Sequence, residues 1–161
     1  MGGGQHPTGT RCREFLKGVR TFGHHFVSTP KIREEWKKHQ LEFARRWQAS
    51  MVARRQVCWV QPPKNESFMR RLKRVKATKR EQAAMLKDLR LICAAIATDQ
   101  AVTSLDDEAR QLFTRASSAV AELKAIVWVN PDRPAEDPIG WLERGARADR
   151  ERMLGWVGQA P

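Results

Sequence analysis

Apolar residues in this chain recur at two spacings, and the switch between them marks out its elements. Residues 14–20 predict a short helix. Gly23 then releases His24-His-Phe-Val-Ser-Thr29, which reads as a buried strand that Pro30 stops. Residues 31–55 carry Ile32, Trp36, Phe43, Trp47 and Met51 at steps near one or two helical turns, predicting one long amphipathic helix with an aromatic seam. Residues 57–60 predict a brief strand ended by Pro62-Pro63.

The segment up to Thr78 is expected to be helical in part, leading into a helix over residues 79–97. Residues 101–105 read as a strand. Residues 108–120 read as a helix with Ala109, Leu112, Phe113, Ala116 and Val120 on one side. The uninterrupted apolar run 125–129 suggests a strand covered on both faces. A turn follows over residues 130–134, then a helix over 138–154 bearing Ile139, Trp141, Leu142 and Ala146. Alternating strands and helices argue for parallel βαβ units, hence the α/β class with a parallel sheet flanked by helices in a single domain. Its expected bounds are 14–156, with a tail over 157–161. Residues 1–13 are Gly-rich and polar, and no structure is expected there.

One carboxylate breaks this pattern. Three and four residues from Asp88 on a helix stand Ala84, Met85, Leu91 and Ile92, which place it on or beside the packing face. An unpaired charge there would cost several kcal/mol, so a metal, an Arg or a helix N-terminus is expected to compensate it. A rim position paired with a neighbouring Arg or Lys is the simpler explanation. Asp106 stands where the strand 101–105 hands over to a helix, and in open α/β sheets ligands gather outside the carboxyl ends of strands. Taken alone, each of Ser104, Asp106 and Asp107 is better explained by helix capping. The pair of carboxylates favours a metal site.

Lys and Arg number 30 against 18 Asp and Glu, a formal charge of +12. That excess favours a polyanion through attraction and counterion release. Arg70, Arg71, Lys73, Arg74, Lys76, Lys79 and Arg80 form the densest cluster, near Arg54, Arg55 and Lys64. Such a cluster would hold nucleic-acid phosphates and read no sequence. A solvated helix face is the plainer alternative.

Three cysteines without CxxC spacing fit a reducing cytoplasm. The four histidines lack zinc-ligand spacing. No apolar run approaches a membrane span, and nothing resembles a signal peptide. Neither a Walker-type loop, a Gly-x-Gly-x-x-Gly fingerprint nor a nucleophilic triad is present. Most of the six Trp are expected in the core.

Three segments carry a likeness to a known family. They are Phe26-Val-Ser-Thr-Pro-Lys-Ile-Arg-Glu-Glu-Trp-Lys-Lys-His39, Asp88-Leu-Arg-Leu-Ile-Cys-Ala-Ala-Ile-Ala-Thr-Asp99 and Ala101-Val-Thr-Ser-Leu-Asp106. With the tail segments Ile126-Val-Trp-Val-Asn-Pro131 and Trp141-Leu-Glu-Arg-Gly145, the chain resembles the PIN-domain family of metal-dependent nucleases over residues 15–155. That resemblance implies endoribonuclease activity on single-stranded or looped RNA, with Mg²⁺ or Mn²⁺ as cofactor. It implies Glu35 (alternate Glu34), Asp88 and Asp106 (alternate Asp107) as metal ligands and catalytic residues, with Ser104 as a supporting hydroxyl. Asp99 reads as a turn former.

The family begins with an apolar strand ending in aspartate, and nothing between Met1 and Val19 matches it. The expectation is therefore a truncated first strand or a member that no longer cuts. The alternatives are a non-catalytic, basic nucleic-acid-binding module, or a toxin-like subunit neutralised by a partner protein. Either form could oligomerise.

Overall fold

The structure, a computed structural model, describes residues 6–39 and 41–158. It is mixed α/β, and its strands pair in parallel, as the alternation of elements predicts. They form two separate two-stranded sheets instead of one. The chain divides into two compact units, residues 1–59 with 130–147, and residues 60–129 with 148–161.

The first unit opens with helix α1 (Pro7–Thr21), followed by strand β1 (Phe26–Ser28), helices α2 (Pro30–Lys38) and α3 (Glu42–Ala53), and strand β2 (Val57–Trp59). Helix α7 (Pro138–Glu143) completes it. Helix α1 overturns the expectation of no structure through Arg13. Pro7 suits the first helical turn. Long-range contacts hold the segment, since Thr8 Oγ1 donates to Asp132 Oδ2 at 2.9 Å and Arg11 Nη1 to Asp132 Oδ1 at 2.8 Å. Residues 1–5 and 159–161, parts of the expected leader and tail, lie outside the described residues.

The long helix expected over 31–55 is two helices. His39 ends α2 and Leu41, in extended conformation, starts α3. Packing supplies the reason. On a continuous helix Trp36 and Trp47 would be separated by a rise of about 16 Å. In the structure their rings stack with centroids 6.0 Å apart, and both meet Phe26 edge-on at 5.2 and 5.5 Å. The seam is buried at Ile32, Trp47 and Met51 but only half-buried at Trp36 and Phe43, and it is closed by folding the helix back.

Register in the first sheet pairs Phe26 with Val57 and Ser28 with Trp59. Helices α1 and α7 approach closely at Gly18, where an added Cβ would lie 3.2 Å from Leu142 Cδ1. The expected helix over 138–154 stops early. Gly145 (φ +91°) and Ala146 (φ +51°) turn left-handed, and their N–H groups bond back to the Leu142 and Trp141 carbonyls.

The second unit contains α4 (Glu66–Lys73), α5 (Lys79–Ile96), β3 (Ala101–Thr103), α6 (Asp107–Ala116) and β4 (Val127–Val129). Its core includes Phe68, Met85, Ile92, Phe113, Trp128 and Leu154, all at most 2% exposed. Ala109, Leu112, Phe113, Ala116 and Val120 are buried as their periodicity predicts. Strand β4 is buried at all three positions, in keeping with its continuous apolar character. It pairs with β3 in parallel, Val102 opposite Trp128, with α6 in the crossover between them.

Among the described residues no helix is long and apolar enough to cross a membrane.

Candidate metal and nucleic-acid site

The site is built at the carboxyl end of β3. One residue past that strand, the Ser104 N–H donates to the Val129 carbonyl at 3.1 Å, extending the parallel ladder. Ser104 Oγ accepts from the Asp106 N–H at 3.1 Å, and Asp106 Oδ1 accepts from the Ala109 N–H at 2.9 Å. Asp106 is therefore the N-cap of α6, its carboxylate fixed at the positive end of that helix. Asp107 occupies the first turn. Asp99 forms the preceding turn, accepting from the Ala101 N–H at 3.2 Å, next to Gln100 in left-handed conformation.

Asp88 comes from the middle of α5, between the buried Met85 and Ile92, and is itself only 5% exposed. Burial pushes its carboxyl above the ordinary aspartate range. The Asp106 charge pushes in the same direction, while Arg90 and Lys87 pull back. Arg90 Nη1 lies 3.7 Å from Asp88 Oδ1. The structure thus joins two acidic side chains 18 positions apart (106 − 88) in one carboxyl pair. With both ionised they offer only acceptor oxygens, the donor set hard cations take.

Glu35 belongs to the first unit, on α2. It is partly exposed and lies 3.5 Å from Lys38 Nζ and 3.9 Å from His39 Nε2, while Glu34 lies 3.4 Å from the same Lys38. These contacts follow the local pairing expected of acids at the end of a helix that carries basic residues in its last turn. Among the described residues, no group of three or more His, Cys, Asp or Glu is arranged to hold a metal ion.

The basic cluster spans the end of α4, the connection after it and the start of α5. Arg70, Lys73, Arg74, Lys76, Lys79 and Arg80 are exposed. Cations suit the carboxyl end of α4. Lys79 and Arg80, by contrast, stand in the first turn of α5, where the helix dipole disfavours them. That turn is secured by a capping box, with Thr78 Oγ1 accepting from the Glu81 N–H at 3.2 Å and Glu81 Oε2 accepting from the Thr78 N–H at 2.9 Å. Arg115 adds two bonds to Glu81 at 3.2 Å, and this pairing, with the capping bond, holds the Glu81 carboxyl below the usual range.

Arg71 differs from its neighbours. Its guanidinium grips the Glu122 carboxylate with both terminal nitrogens, Nη1 donating to Oε2 at 2.7 Å and Nη2 to Oε1. The pairing raises the Arg71 pKa and lowers that of Glu122. Arg71 thus secures α4 to the 3₁₀ turn Ala121–Leu123. No spacing in the sequence separates it from the other six basic residues. Arg90 reaches Asp88 although residues two apart on a helix do not face each other, so helical spacing gives no sign of that pair.

No protein-family model, curated protein or solved structure matches this chain.

Proposed function

We propose that the chain is a PIN-like, divalent-cation-dependent endoribonuclease, with Asp88 and Asp106 as the protein ligands of Mg²⁺ or Mn²⁺ in the second unit. The observation that carries this reading is the buried Asp88 carboxyl set against Asp106 at the end of a parallel strand. Like-charged groups kept together in a poorly solvated place are stabilised by a cation. Magnesium is commonly bound through one or two carboxylates together with waters and substrate phosphates, so a two-carboxylate set is sufficient. Zinc does not fit an all-oxygen pair of this kind.

In this reading each residue has a defined task. Asp106, its N–H held by the Ser104 hydroxyl and its Oδ1 by the Ala109 amide, would offer its carboxylate to the ion. Asp88 brings the second oxygen from α5 and excludes water on its packed side. Bound there, the ion would activate a water and neutralise charge on the scissile phosphodiester. Arg70, Lys73, Arg74, Lys76, Lys79 and Arg80 would hold the RNA backbone without reading sequence. Glu35 enters as a third ligand only through the family resemblance.

The test is cleavage of a labelled single-stranded RNA by the full chain. Cleavage should require Mg²⁺ or Mn²⁺, stop in EDTA, and vanish in a folded Asp88→Asn protein. Cleavage that persists in EDTA or survives Asp88→Asn overturns the assignment.

A second reading draws on the lack of a three-donor group among the described residues. Here the same cationic surface binds RNA without cutting it. It calls for an affinity that falls steeply with salt and intact RNA at the end of the incubation.

A further inference from the structure

Trp59 closes strand β2 and is 59% exposed, more than the 41% of Trp156, whereas Trp47, Trp128 and Trp141 are buried. Its ring is thus offered to solvent on a strand of the first unit, an apolar plane that suits a planar partner. The parallel register sets Trp59 opposite Ser28, at the carboxyl end of the sheet where the chain turns into α2. From α2, exposed Arg33 places its guanidinium carbon 5.3 Å from the indole centroid. Lys31, also exposed, stands in the same first turn. The acids of α2 do not cancel these charges, because Glu34 and Glu35 are drawn to Lys38 and His39 at the other end of the helix.

An exposed aromatic plane beside exposed cations is the combination that holds unpaired nucleotides, the ring stacking on a base and the cations meeting the phosphates. The chain's +12 charge fits such a polyanion. We infer that Trp59 and Arg33, both of the first unit, form a stacking platform for an unpaired base of single-stranded RNA. The inference rests on the RNA-binding part of the function proposed above and does not depend on cleavage. A second protein copy on Trp59 is the competing occupant.

The experiment measures binding of the full chain to fluorescein-labelled oligouridine and to a labelled RNA duplex by anisotropy, with sedimentation velocity alongside. Trp59→Leu keeps an apolar side chain but removes the π face; Trp59→Phe keeps the face. Trp59→Leu should weaken the single strand about tenfold and leave the duplex unchanged, with Trp59→Phe within about threefold of the native protein. Arg33→Ala should weaken the single strand and flatten its salt dependence. Oligouridine affinity indifferent to Trp59→Leu, or an equal loss for the duplex, overturns the platform while leaving RNA binding intact. So does a dimer that Trp59→Leu dissociates without a change in affinity. Failure of the native protein to bind either RNA overturns the platform together with the RNA-binding reading.

Discussion

The buried Asp88 carboxyl on α5 feels the negative charge of Asp106, the N-cap of α6, and burial together with that charge raises its affinity for a proton. The consequence for stability has a definite sign. Native Asp88 holds its proton to higher pH than the unfolded chain does, so the unfolded state binds fewer protons within that window. Stability from this group is present at low pH and falls as pH rises from about 3.8 through the raised native value. Asp88→Asn removes the titration. In melting experiments without divalent ions, the variant's Tm should gain on that of the native protein as pH climbs from about 3.8 through the raised native value. A difference that stays flat, or reverses, contradicts the buried pair.

Asp106 has two separable tasks, capping and charge. Asn caps helices about as well as Asp, whereas Ala does not. Asp106→Ala should therefore cost about 1 kcal/mol in urea unfolding, and Asp106→Asn should cost little or stabilise by relieving repulsion on Asp88. Equal losses in both would mean that the carboxylate charge, not the Ala109 amide bond, dominates.

Arg71 and Arg70 are adjacent in sequence but differ in what they touch. Arg71→Ala should lower the urea midpoint because it breaks the two-pronged pairing with Glu122, and a double-mutant cycle with Glu122→Ala should show coupling. Arg70→Ala and Arg74→Ala should leave the midpoint in place and weaken RNA binding. For a single strand, removing one phosphate-neutralising cation should reduce the salt slope by about 0.7.

Much of the second unit could be read from local pattern. The capping box at Thr78, the apolar face of α6 and the fully apolar β4 each declare their structure within a few residues. Asp88 was legible as a buried carboxylate because its helical neighbours are all apolar. Its pairing with Asp106 was expected through the family resemblance and not from local pattern, since it depends on how α5 packs beside β3 and α6. Long-range packing likewise decides three features that local pattern does not show. Helix α1 begins at Pro7 because Thr8 and Arg11 reach Asp132, more than a hundred residues away in sequence. The 31–55 helix breaks because Trp36 and Trp47 stack on each other. The exposure of Trp59 has no local signature, for its run Val57-Cys-Trp-Val60 looks like any buried strand.

The early end of α7 depends on the left-handed backbone at Gly145. A Cβ added there would meet nothing within 4 Å, so the cost of a side chain is conformational. Gly145→Ala should destabilise by about 1 kcal/mol in chemical unfolding. A neutral or stabilising effect would show that the turn relaxes to another conformation.

The central claim is that Asp88 and Asp106 together take a divalent cation, and titration of Mn²⁺ into the native protein followed by electron paramagnetic resonance tests it most directly. The native chain should deplete the free-Mn²⁺ signal with saturable binding, and Asp88→Asn and Asp106→Asn, both folded, should each abolish that binding. Binding that is absent from the native chain, or undiminished in both variants, would contradict it.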